Sequence, residues 1–173
     1  MAKYNYSRKG LKGLTPFPFL GEVKTRLKAI EAAPDTMPRS IYNANILAAK
    51  LVERGVRVRM YDTSVTPASY ILSNAFRCSH LVFAATTYNA GIFVTMENLL
   101  HDIANHNLQN RRIAVMENGS WAPTSGKQMR DILSALKGCS FIGDNITLRS
   151  SLAEDQLPAL DALADAIAAE IKD

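Results

Sequence analysis

The chain has 173 residues, 47% of them hydrophobic, and a net charge of +4, which suits one domain with a sizeable core. No apolar run is long enough to span a bilayer, and no apolar stretch follows the charged start "MAKYNYSRKGLKGL", so membrane and secreted classes are set aside and a cytoplasmic protein is expected. Cys78 and Cys139 follow no CxxC or metal-ligand spacing and are predicted to be reduced, buried thiols.

Residues 1–40 hold eight Lys/Arg against Glu22, Glu31 and Asp35, a net of +5, whereas residues 41–173 hold twelve against thirteen acids, a net of −1. The basic character therefore belongs to the N-terminal segment. Its charges are scattered and form no nucleic-acid-binding module, so a solvated, loosely packed arm is expected over residues 1–20, with no nucleic acid partner. Within this arm "LTPFPFL" is apolar, but Pro16 and Pro18 would remove two ladder donors from a central strand. Residues 21–40 fit helical spacing better than strand, so the first strand of any sheet is atypical or missing.

From residue 41 the pattern is regular. "NANILAAKLVERG" predicts a helix over 41–54 stopped by Gly55. "VRVRMYD" alternates and predicts a strand over 56–61. "TPASYILSNAFRC" predicts a helix over 66–77, with Thr66 as N-cap and Pro67 at the first helical position. "HLVFAAT" predicts a strand over 80–86 covered on both faces. A helix over 93–106, a second buried strand over 112–117, a helix over 124–137 closed by Gly138, an alternating strand over 145–149 and a last helix over 154–171 follow. Strands alternating with helices imply an α/β fold, a doubly wound parallel sheet. The apolar strands belong at its centre and the Arg-bearing ones near its edges.

Ligands of such sheets bind beyond the carboxyl ends of the strands. Two loops lie there: Thr86, Thr87, Tyr88, Asn89, Ala90 and Gly91 after the first buried strand, and Glu117, Asn118, Gly119, Ser120, Trp121 and Ala122 after the second. Each joins small residues, which free backbone amides, to one large ring. A flat heteroaromatic ligand needs that pairing of apolar faces and polar edges. Either loop alone reads as a capped surface turn; the two at one end of the sheet read as a ligand rim. The histidines form no metal cluster: His101 and His106 are five apart on a helix and are expected to be exposed, and no metal site is expected.

The stretches "TTYNAGIFVTMENLL" and "ENGSWAPTSGKQM" resemble the flavodoxin-like domain of the A-type flavoproteins, or flavodiiron proteins, from about Asn43 to the C-terminus. The resemblance implies a flavodoxin-like sheet of order 2-1-3-4-5 over residues 41–173, with 1–40 an atypical basic segment. It implies FMN as cofactor, electron transfer to a redox partner protein, and a diiron centre carried by a separate domain. Thr86 to Gly91 would embrace one side of the isoalloxazine and Asn118 to Trp121 the other, with Tyr88 and Trp121 touching the ring. Two departures stand against this. This chain holds no diiron ligand set. The stretch "APDTMPRSIYN", where the phosphate loop should lie, offers Thr36, Ser40 and Arg39 but no glycine, while Pro34 and Pro38 lack an N–H and Asp35 repels a dianion. Ser40 is therefore both a candidate phosphate ligand and a candidate helix cap. Three functions remain open from sequence: an FMN electron-transfer domain, a vestigial flavodoxin-like module that binds flavin weakly or not at all, and an interaction protein whose basic arm docks an acidic partner. Self-association is also left open.

Overall fold

Apolar residues three and four apart lay down α1 (Arg39–Glu53), the first helix among the described residues, in a computed structural model that describes residues 4–5, 39–149 and 152–172. The helix stops where expected. Gly55 adopts φ +85°, its N–H donates to the Val52 carbonyl at 2.9 Å, and the Val56 N–H closes on Leu51 at 3.0 Å. The described residues form two units, one within 1–61 and 153–173, the other over 62–152.

In the first unit, α1 packs along the last helix, α5 (Leu157–Lys172), which a single 3₁₀ turn over Glu154–Gln156 precedes. Leu47, Ala48, Leu51 and Val52 of α1 and Leu160, Leu163, Ala164 and Ile167 of α5 are buried. Along the edge, Lys50 meets Asp161 at 2.7 Å, and Arg54 meets Asp161 at 3.1 Å and Asp165 at 2.6 Å. Lys50, and then Arg54, hold the Asp161 carboxyl below its ordinary pKa. The alternating stretch 56–61 forms ladder bonds only at β2 (Arg59–Met60), which pairs antiparallel with β1 (Tyr4–Asn5) in a separate two-stranded sheet. That corrects the expectation of a six-residue parallel strand here. It also places a short strand inside the segment expected to be loosely packed; the rest of that expectation falls on residues outside those described.

The second unit carries the main sheet: β3 (His80–Tyr88), β4 (Gly91–Ile92), β5 (Arg112–Asn118), β6 (Ser140–Phe141) and β7 (Ile146–Leu148). β3 and β5 run parallel, from His80 opposite Arg112 to Thr86 opposite Asn118. β6 and β7 both pair parallel with β5, at its start and its end. The chain buckles outward between them through Gly143, at φ +64°. The expected strand over 145–149 is thus the second half of a broken one. The parallel order of strands three, four and five of the expected sheet is present; among the described residues, positions one and two of that sheet are not.

The helices α2 (Ala68–Ala75), α3 (Val94–Asn105) and α4 (Ser125–Ser134) complete the unit. Met96, Leu99, Leu100 and Ile103 form one buried stripe of α3 at i, i+3, i+4 and i+7. With Met129, Leu133 and the run Ile113–Met116 they make the core. β5, flanked on both edges, is buried from Ile113 to Asn118, whereas β3 leaves Val82 exposed instead of being covered on both faces. On its far edge β3 has only the two-residue β4 among the described residues.

Four local expectations need correction. Pro67, not Thr66, holds the cap position of α2; the Thr66 N–H is drawn to the Asp62 carbonyl, in a turn where the Asp62 carboxylate takes the Ser64 N–H and hydroxyl. Gly138 adopts φ +68° but sits four residues beyond the end of α4, because the intervening residues close as turns. Ser40 lies inside α1 and not before it, so it is no N-cap. Cys78 and Cys139 are free thiols, as expected, but only half-buried, since each sits in a turn just ahead of a strand.

Candidate functional site

The first rim is tighter than a loop. β3 turns into β4 through Asn89 and Ala90 alone, at φ 48° and 58°, with Tyr88 opposite Gly91. Two successive left-handed residues make a type I′ hairpin. Asparagine suits the first of these positions, while alanine at the second disguised the turn in the sequence. Gln128 of α4 holds the tip, its amide donating to the Ala90 carbonyl at 2.7 Å. Tyr88 is 51% exposed, and its ring meets Phe93, at the start of α3, edge to face at 5.8 Å.

The second rim leaves β5 at the same level, because Thr86 and Asn118 are register partners. Asn118 is buried, and the Gly119 N–H donates to Leu148 at 3.1 Å. A Cβ on Gly119 would come within 3.1 Å of Pro123, so glycine lets the second rim fold back tightly on itself. Ser120, Trp121 and Ala122 then stand exposed, Trp121 at 87%. Ala122 also adopts a left-handed φ, 40°.

Two predicted site residues work beneath the rims. The Thr87 hydroxyl accepts the N–H groups of Thr124 at 3.0 Å and Ser125 at 3.2 Å, capping α4 from a neighbouring strand, and donates to the Ser125 hydroxyl at 3.1 Å. Glu117 is 5% exposed and its carboxylate is fully engaged. One oxygen accepts the Gly126 N–H at 2.7 Å and the Ser125 hydroxyl at 3.4 Å; the other accepts the Asn145 amide and the Thr147 hydroxyl, each at 2.7 Å. Ser125, Asn145 and Thr147 were not singled out in the sequence. Only the broken strand brings the last two to β5, so no local pattern could have marked them.

The structure thus brings together Thr86 to Gly91 and Glu117 to Trp121 at one end of one sheet. Of these, Tyr88, Asn89, Ala90, Ser120 and Trp121 offer exposed surface to a ligand, while Thr87, Glu117 and Gly119 shape the floor. Ser40 lies in α1, in the other unit, and its side chain is outside what is described. Three residues on, Asn43 is 2% exposed with neither amide atom hydrogen-bonded. His101 and His106 are exposed, and among the described residues no three His, Cys, Asp or Glu side chains gather as a metal site. Nor is any helix there long and apolar enough to cross a membrane.

No protein-family model and no curated protein matches this sequence. Solved structures do match in fold. The flavodiiron core of Flv1 from Synechocystis sp. PCC6803 is 15% identical, with TM-score 0.71 over 78% of this chain. The rubredoxin oxygen:oxidoreductase of the anaerobe Desulfovibrio gigas is 19% identical, with TM-score 0.73 over 78% of this chain. This chain spans about a third of each of those proteins, 33% in both cases. The flavodoxin of Streptococcus pneumonia TIGR4 is 18% identical, with TM-score 0.69 over 79% of this chain and 94% of its own. At such identities the likeness is one of fold, and the fold is flavodoxin-like.

Proposed function

We propose that this chain is a flavin-binding electron-transfer domain whose two rims hold an isoalloxazine ring, as in the flavodoxin-like part of a flavodiiron protein. One observation carries the reading: exposed aromatic rings, Tyr88 and Trp121, stand on two loops that leave adjacent parallel strands at one register level. Two exposed rings beside the strand ends offer apolar faces that a flat heteroaromatic ligand could cover. The residues present fit the ring half of a flavin. Tyr88 and Trp121 supply its faces, and the backbone of 89–90 and 120–122 supplies its polar edge. A bound flavin supplies the redox chemistry itself. The chain orients the ring, covers its faces with Tyr88 and Trp121, and leaves an edge open to a redox partner protein.

The phosphate half fits poorly in composition. Residues 34–40 bring two prolines, an aspartate and no glycine, where a dianion needs several N–H donors. We therefore take the chain to be a site for the ring first, with FMN as its natural form and little preference over riboflavin. The flavodiiron-type role would need a diiron domain from elsewhere, and the cytoplasm is the compartment that suits such a partner.

The test is titration of the flavin-free protein with FMN, followed by the flavin's visible absorption. The reading expects saturable binding that Trp121→Ala weakens about tenfold or more, and that His101→Ala leaves unchanged. Equal affinity in the Trp121 variant and the parent would remove the indole from the site.

A further inference from the structure

β3 has the composition of an inner strand and the position of an outer one. One edge carries the ladder to β5, unbroken by a bulge from His80 to Thr86. On the other edge β4 meets it only at Thr87 and Tyr88, and among the described residues no strand pairs with that edge from Leu81 to Thr86. Every second residue of this stretch turns a backbone N–H and C=O toward that open side.

Sheets blunt such an edge with a charge, a proline or a bulge. Residues 81–86, Leu-Val-Phe-Ala-Ala-Thr, contain none of these. Val82 is 38% exposed, whereas Ala84, two residues on and on the same face, is small and half-buried. Exposed apolar side chains flank the stretch at either end: Phe76 closes the helix before β3, and Phe93 follows β4. Apolar surface of this kind beside unpaired backbone marks a site of association.

Charge and symmetry select the occupant. Residues 62–152 hold seven Lys/Arg against six acids, 7 − 6 = +1. A unit so close to neutral neither calls for a charged partner nor repels a copy of itself. Two identical strands running antiparallel are self-complementary about a two-fold axis. With that axis at Phe83, Val82 of each copy stands opposite Ala84 of the other, so an exposed side chain meets a small one twice.

We propose that the open edge of β3 pairs with the same edge of a second copy of this chain, Val82 opposite Ala84, in an antiparallel two-fold dimer that joins two sheets into one. The dimer satisfies the outward N–H and C=O groups of both copies and covers Val82. It does not depend on the flavin reading.

The test is sedimentation equilibrium of the full chain from about 1 to 100 μM, with circular dichroism as the check on folding. The parent is expected to be dimeric in the upper part of that range. Val82→Lys puts an ammonium on the edge at an exposed position, and is expected to weaken the dimer about a hundredfold or more while leaving the spectrum unchanged. Ala84→Glu is expected to act likewise. Mixing the two variants is expected to restore a dimer, because the new ammonium of one then faces the new carboxylate of the other. A parent that stays monomeric throughout overturns the proposal whether or not the variants fold. A dimer that survives Val82→Lys uses another surface and overturns it as well. So does a mixture that stays monomeric when both variants are folded.

Discussion

Single residues carry the rims, and some are held in conformations their side chains resist. Ala90 and Ala122 sit at φ 58° and 40°, where a Cβ costs about 1–2 kcal/mol. Ala90→Gly relieves this at the expense of a looser unfolded chain, and is expected to raise stability by up to about 1 kcal/mol. A thermal melt with no gain, or a loss, would show that the turn is not strained as described. Gly126 is the opposite case. A Cβ there would collide with the Asn145 amide that donates to Glu117, so Gly126→Ala must displace Asn145 and leave a buried acceptor short of a donor. A loss of about 1–3 kcal/mol is expected in denaturant unfolding. The ring-bearing residues, Tyr88 and Trp121, were legible from sequence because they follow apolar strands. Glu117 was legible as a rim position but not as a floor, because its partners Asn145 and Thr147 lie about 30 residues on and are brought in only by the broken strand.

Elements follow the hydrophobic period wherever it is long. The α3 stripe was readable at once, and Leu100→Ala within it is expected to cost about 2–5 kcal/mol in chemical denaturation, since its side chain is fully buried. A cost well below 1 kcal/mol would mean that the site collapses around the lost atoms. Elements failed to follow the sequence where ladder partners decide. The stretch 56–61 alternates as a strand, yet only Arg59–Met60 find a partner. Residues 140–148 make two short strands because the chain buckles at Gly143, a backbone choice that periodicity does not register. Between α1 and α5, Asp161 has its pKa lowered by Lys50 and Arg54. A carboxyl depressed on folding adds stability above its unfolded pKa, about 4, and loses it as pH falls through the lower folded value. Asp161→Asn should therefore lower stability somewhat above about pH 4, where the carboxylate is charged, flatten the acid limb, and converge with the parent at low pH where that contribution is already lost. An unchanged acid limb would show that the exposed pair contributes nothing.

At the scale of the whole molecule, the sequence showed the α/β class and the parallel centre of the sheet, because both rest on alternating periods. It did not show a first strand, and none stands beside β3 at 80–86 among the described residues. It also carries the imbalance between two loops with exposed rings and a stretch, 34–40, poor in N–H donors. The chain has a single tryptophan, Trp121, which stands on the second rim. Its emission therefore reports on that rim alone, and titrating the protein with FMN and with riboflavin while following it tests the central claim directly. The account predicts saturable quenching by both flavins, with dissociation constants within about tenfold of each other. Flavin binding that leaves Trp121 emission unchanged, or FMN binding a thousandfold more tightly than riboflavin, would contradict it.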